Sequence, residues 1–305
     1  MRFSIWPQAN RPWADILDIV RHADTTGWDG AYVADHFMPD TPDGTPADGP
    51  TFECFSLLAG LAASTTNLRL GPLVAGNLYR HPAVLAKVAT TIDHIAGGRT
   101  VLGLGAGWQV NEHAAYGIDL MSVKGRIDRF EEACTVVRSL LHEDRTTFSG
   151  THYQLADAPN DPHPVQPSLP LLIGAKGERR TMRIAARLAD EWNCWSEPAL
   201  FAQKAGVLDA HCEDLGRDPA TIRRSTQALL FMSTDETWLA RFRGRDIGRP
   251  AIVGTPAEVT EIVAAYRDAG VDELIVPDFT LGDTARAKDT YDLFMAEVVP
   301  SFRTP

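Results

Sequence analysis

The feature that most limits what this chain can become is an alternation. A short apolar run is followed by a longer amphipathic one, nearly from end to end. Apolar runs at 3–6, 30–34, 68–74, 100–104, 171–173, 191–195, 228–232 and 274–276 read as strands. Helical spacing fills 13–23, 55–63, 82–95, 127–141, 178–189, a stretch reaching about 215, 256–269 and a last run to 299. Pro82 and Pro256 suit the first position of a helix, and Gly27, Gly97–Gly98 and Gly270 suit its end. Repeated strand-then-helix units imply a parallel sheet with right-handed crossovers. Eight of them close into a (β/α)8 TIM barrel, whereas an open doubly wound sheet usually has fewer strands. We therefore expect one α/β barrel spanning residues 1–305. Residues 144–170 carry five prolines and little periodicity. They read as an insertion after the fourth helix, of the kind that forms lids or functional loops.

Composition narrows the partners. A formal net charge of −11 gives no basic footprint for nucleic acid and none for an anionic membrane. No apolar run reaches the ~18 residues of a membrane helix, and the N-terminus lacks the charged-then-apolar order of a signal peptide. The four cysteines, Cys54, Cys134, Cys194 and Cys212, are widely spaced with no partner at zinc-ligand distance. Reduced, buried thiols in a cytoplasmic protein are the expectation. No clustered metal-ligand set, HExxH, GxSxG or GxxxxGK[ST] motif occurs. We expect no metal.

Barrel active sites lie where strands end. Strand two ends in Asp35 and His36; this pair either holds a proton near a ligand or caps neighbouring backbone. Strand three runs into Gly71-Pro72-Leu73-Val74-Ala75-Gly76-Asn77, which is either small enough for a planar ring to approach the backbone or an ordinary strand-to-helix loop with a proline helix start. Strand four ends in Gly103-Leu104-Gly105-Ala106-Gly107-Trp108, which fails the dinucleotide fingerprint because Trp108 holds its sixth position. Of Asn111, Glu112 and His113 after it, either one polar group faces the site or all three form a solvated helix start, the reading preferred here. Strand five enters Gly174-Ala175-Lys176-Gly177-Glu178-Arg179-Arg180 and then a helix. Free amides and a positive dipole end there suit an anion. Lys176, Arg179 and Arg180 either form a basic helix start on the surface or, because cations are unfavourable at that end, serve an anionic partner, the reading preferred here. Trp6, Trp108 and Trp195 fall near strand ends and can wall a pocket for a flat or apolar substrate, or fill core.

Taken together, these strand ends resemble the luciferase-like monooxygenase superfamily, and within it the deazaflavin (coenzyme F420)-dependent oxidoreductases. The pieces that carry the resemblance are ADH at 34–36, LRLGPLVAGNLYRHP at 68–82, GGRTVLGLGAGW at 97–108 and NEHAAYGI at 111–118. LLIGAKGERRTMRIAARLADEWN at 171–193 and VGTPAEVTEIVAAYRDAGVDELIV at 253–276 are the most specific. The resemblance implies a bacterial-luciferase-like barrel and a non-proline cis peptide near Leu73–Val74. It implies a tricyclic ring near Asp35, His36, Leu73, Val74, Asn77, Ala106 and Gly107, with its phosphate on Gly174, Ala175, Lys176, Gly177, Glu178 and Arg179. It further implies hydride transfer between F420 and a small organic substrate, with His36 and Asp35 as the catalytic pair. Two alternatives stay open: an FMN-dependent monooxygenase using oxygen, and a cofactor-binding protein without turnover. Relatives of this kind are often homodimers. One departure stands out. Sugar-phosphate dehydrogenases of the family carry a carboxylate where this chain has Trp108, which weakens the case for sugar-phosphate oxidation here.

Overall fold

A computed structural model describes residues 1–41 and 43–303. Its strands in chain order are β1 (Arg2–Trp6), β2 (Gly30–Val33), β3 (Arg69–Pro72), β4 (Ala75–Gly76), β5 (Leu102–Gly105), β6 (Arg145–Ser149), β7 (Gln154–Pro159), β8 (Leu171–Gly174), β9 (Glu191–Asn193), β10 (Arg223–Gln227), β11 (Leu229–Met232), β12 (Ala251–Gly254) and β13 (Glu273–Pro277). Its helices are α1 (Trp13–Thr26), α2 (Cys54–Ala62), α3 (Pro82–Ala96), α4 (Val110–Ala115), α5 (Val123–His142), α6 (Thr181–Leu188), α7 (Pro198–Asp214), α8 (Glu236–Leu239), α9 (Pro256–Asp268) and α10 (Thr284–Glu297).

The main sheet runs β3-β2-β1-β13-β10-β9-β8-β5-β4, with every neighbouring pair parallel. β3 and β4 are two halves of one strand. The first pairs with β2, the second with β5, and a bridge from Leu70 to Thr100 closes the ring. Between the halves lies a cis Leu73–Val74 peptide bond, at the position the family resemblance implies. The eight-position barrel expected from the alternation is the observed fold. Helix ends follow the punctuation. Gly27 and Gly97 cap α1 and α3 in the left-handed region, at φ 91° and 62°, where a side chain would be strained. Thr255 and Glu258 form a reciprocal capping box on α9.

The lumen is filled in layers. At the N-terminal end, Ser4, Tyr32 and Arg69 converge on Glu273, and Arg69 also reaches Glu191 at 2.6 Å. Above this ionic floor, Trp6, Tyr32, Leu73, Val101, Leu172 and Ile275 form an apolar plug. A much larger apolar cluster lies between the sheet and its helices. The remaining space inside the barrel is therefore at the C-terminal mouth.

Three expectations need correction. The seventh barrel strand is 223–227, not 228–232. Residues 229–232 instead pair in parallel with β12 as a separate ribbon. The unbroken polar run Arg-Arg-Ser-Thr-Gln hid a strand, while the apolar Leu-Leu-Phe-Met run beside it advertised one. Next, residues 144–170 are not structureless, because β6 and β7 form an antiparallel hairpin there. Nor are they a lid. A helix-to-strand connection returns the chain to the strand N-termini, and none of these residues lines the mouth cavity. Lys87 donates to Asp161 O, Gln166 to Asp93 and Thr100, and Glu132 accepts three hairpin amides. The segment is thus strapped along α3 and α5. Finally, the fifth-strand helix begins at Thr181 rather than at 178.

Candidate active site

The mouth holds a cavity of about 540 Å³, within the size range of small-molecule and cofactor sites. Its floor is nearly free of side chains. Gly105, Ala106 and Gly174 surround the bulged Val74. A Cβ on Gly105 would come within 2.5 Å of Val74 Cγ2, and one on Gly174 within 3.1 Å. Glycine is required there by close approach, not by turn geometry.

Asp35 ends β2 and is 2% exposed. Arg80 grips it at two points, and the Gly76 amide donates to it at 2.9 Å. Burial pushes its carboxyl above the ordinary value, against the pull of Arg80. These three bonds make it a clamp between two loops, and it also lines the cavity.

His36 sits beside it on the cavity wall. Its Nδ1 is 2.7 Å from Glu112 Oε1, and its ring meets Trp108 edge-on at 5.6 Å between centroids. Sequence reasoning listed Glu112 among three residues of which one could face the site, but preferred a solvated helix start. Asn111, Glu112 and His113 are all buried, not solvated, because α4 folds inward over the residues after β2. Asn111 donates to Pro39 O, Gln109 to Met38 O, and Phe37 N–H to Glu112. The one available signal was a carboxylate within eight residues of the strand-four glycines.

The aromatic expectation divides. Trp6 and Trp195 meet at 5.7 Å, with Phe279 against Trp6 at 5.3 Å and Arg249 over Trp195 at 4.5 Å. Trp108, 52% exposed, stands by His36. All three tryptophans line the cavity, as do Leu73, Val74, Ala106, Gly107 and Gly174. Asn77 is buried behind this lining, its N–H bonded to Gly105 O and its side-chain amide nitrogen left without a partner.

The strand-five loop is exposed from Lys176 to Arg179. Ala175 N donates to Asn193 O, and Gly177 N to Thr181 Oγ1. The amides of Glu178 and Arg179 have no hydrogen-bond partner among the described residues. Arg180, expected to add positive charge, instead turns to Asp128 at 2.6 Å and Glu131 at 3.6 Å on α5. Glu178 pairs with Lys204. Of the expected cations, Lys176 and Arg179 remain exposed.

A parallel barrel with a cavity of this size at the C-terminal ends of its strands is the arrangement in which α/β barrels carry their sites. Residues 1–246 match the model of the luciferase-like monooxygenase family, and the chain belongs to it. The F420-dependent glucose-6-phosphate dehydrogenase of Kineococcus radiotolerans is 31% identical over 224 residues, which span 72% of this chain and 64% of that protein. Pyrimidine monooxygenase RutA of Cronobacter sakazakii is 33% identical over 61% of this chain and 54% of its own. The chain thus aligns with less than two thirds of the length of these curated relatives. Among solved structures, the coenzyme F420-dependent tetrahydromethanopterin reductase of Methanopyrus kandleri superposes with a TM-score of 0.83, covering 99% of both chains at 19% identity. An F420-dependent secondary alcohol dehydrogenase, in complex with an F420-acetone adduct, also gives 0.83 at 19%. At these identities the likeness establishes the fold. Among the described residues no group of three or more His, Cys, Asp or Glu could hold a metal ion, and no helix is long and apolar enough to cross a membrane.

Proposed function

We propose that this protein is an oxidoreductase that moves a hydride between coenzyme F420 and a small organic substrate. The observation that carries the reading is the glycine and alanine floor around Val74, open to a cavity that His36 faces from one wall. That floor fits a flat ring system. The unpartnered amide nitrogen of Asn77 lies just behind it, and the free amides of Glu178 and Arg179, flanked by Lys176, suit an anionic tail. The F420-dependent relatives support the same choice. When bound, a deazaflavin supplies a two-electron hydride carrier. The chain's own part is to hold, orient and shield. Trp6, Trp195 and Phe279 provide an apolar wall against which a substrate packs. His36 is placed to exchange a proton with the reacting oxygen.

The second reading, an FMN-dependent monooxygenase, is favoured by the pyrimidine monooxygenase relatives. Titration of the purified protein with F420 and with FMN, followed by fluorescence, separates the two. Tight F420 binding without oxygen uptake during turnover supports the first. FMN binding with oxygen consumption sinks it. Binding of either ring with no hydride acceptor or donor ever found leaves a binding protein without turnover. We also propose a cytoplasmic location. All four cysteines are free and buried, which suits a reducing compartment.

A further inference from the structure

Glu112 is a buried acid that the proposed chemistry has not yet used. Its side chain is fully buried. Oε1 accepts from His36 Nδ1 at 2.7 Å and from the Tyr79 hydroxyl, and Oε2 accepts from the Phe37 amide at 2.6 Å. An ionised carboxylate has no proton to donate. With three donors gathered on it, the shared proton of the His36–Glu112 contact belongs to Nδ1. The other ring nitrogen, Nε2, has no protein partner among the described residues, and His36 lies on the cavity wall. Burial would raise the Glu112 carboxyl, but the bonds from His36, Phe37 and Tyr79 hold it below the ordinary value.

We propose that Glu112 is a positioning residue: it locks His36 with its proton on Nδ1, so that a bare Nε2 faces the cavity and takes the hydroxyl proton of an alcohol substrate. The last part rests on the hydride-transfer reading above. The step balances. The carbinol C–H bond breaks, and its electron pair leaves with the hydrogen as hydride to the oxidised deazaflavin. The O–H bond breaks, its proton passes to Nε2, and its electron pair becomes the second bond of the carbonyl. His36 ends as an imidazolium facing ionised Glu112, which stabilises the positive charge where it forms. Tyr79 donates to the same carboxylate oxygen that faces His36, and Phe37 N–H holds the other, as orienting groups do for catalytic histidines.

The test is the ring-nitrogen spectrum of His36 in ¹⁵N-labelled protein free of cofactor, followed in Glu112→Gln. A carboxamide offers one accepting oxygen where the carboxylate offers two, and presents an NH2 on the other side. With that oxygen kept by the Phe37 amide, the NH2 faces His36. The ring proton then moves to Nε2, and Nδ1 becomes an acceptor. Read with the pH raised until the ring is neutral, the expected result is an Nδ1–H tautomer in the parent protein and an Nε2–H tautomer in E112Q. Alcohol oxidation should fall about 100-fold in kcat, with the cofactor Kd nearly unchanged. An Nε2–H tautomer in the parent protein overturns the proposal, as does an E112Q spectrum identical to the parent's. If E112Q does not fold, the parent spectrum alone decides. Because the spectrum is read without cofactor, failure of F420 to bind would sink the functional reading while leaving this result standing.

Discussion

Arg80 holds Asp35 at two points, Nη1 to Oδ2 at 2.7 Å and Nη2 to Oδ1 at 3.1 Å, and the same guanidinium meets Glu53 at the start of α2. It also lies over the Phe55 ring at 4.6 Å. One side chain thus ties the end of the third strand to the end of the second and to the helix that follows. Arg80→Ala strands a buried carboxylate, and such losses cost about 3–5 kcal/mol. Urea unfolding should show that loss, and Arg80→Ala with Asp35→Asn together should recover much of it. A change under about 1 kcal/mol for the single variant would falsify the clamp.

The glycines of the fourth strand are not equivalent. A Cβ on Gly103 would fall 2.1 Å from Pro72 O, a backbone atom, whereas one on Gly105 would meet the Val74 side chain at 2.5 Å. Gly103→Ala should reach or exceed the upper end of the ~1–3 kcal/mol cost of overpacking. Gly105→Ala should cost less stability but push Val74 into the cavity and weaken cofactor binding. Thermal melts and cofactor titration together check the pair; equal melts for the two variants would contradict it.

His36→Ala should lower kcat by about 100-fold and leave the melting temperature within a few degrees. Unchanged steady-state kinetics would remove His36 from proton transfer.

Replacing Lys176 and Arg179 together by Glu should weaken an anionic cofactor at least about tenfold, or ~1.4 kcal/mol. The loss should shrink as salt is raised, because exposed charges are screened. A Kd independent of both charge and salt would move the phosphate elsewhere.

Asp24 accepts the amides of Thr66, Asn67 and Leu68 at 2.8–3.0 Å. Burial pushes its carboxyl up, but these bonds outweigh it and hold it below the ordinary value. A folded value below the unfolded ~3.9 adds stability that is complete above that pH and is lost as pH falls through the folded value. Asp24→Asn should therefore destabilise by about 1–3 kcal/mol near neutrality. The gap from the parent should close as acid protonates Asp24. A gap that stays constant down to pH 2 would contradict the assignment.

The barrel was legible because its signal is spread over the whole chain, so misplacing one strand by five residues did not disturb the count. Strand ends were legible for the same reason: knowing where strands stop puts Asp35, His36, Trp6 and Trp195 at one end. What stayed hidden needed three dimensions. Glu112 looks like any acid in a first helical turn until α4 is seen folded over Phe37 and His36. The competition for Arg180 between a ligand and Asp128 on α5 involves residues 52 positions apart. Proline content in 144–170 signals irregular chain but not the end of the barrel it covers.

That last placement separates two properties of the molecule. The hairpin of β6 and β7 is fastened to the outer helices, and the ion cluster of Arg69, Glu191 and Glu273 seals the strand starts. Tyr153 between the two strands is buried and meets the His81 ring at 5.2 Å, so the part of the hairpin free to vary is its exposed outer face, Arg145, Thr147, Gln154 and Asp157. A label or a tether belongs on that face, which lies outside the lining of the mouth cavity.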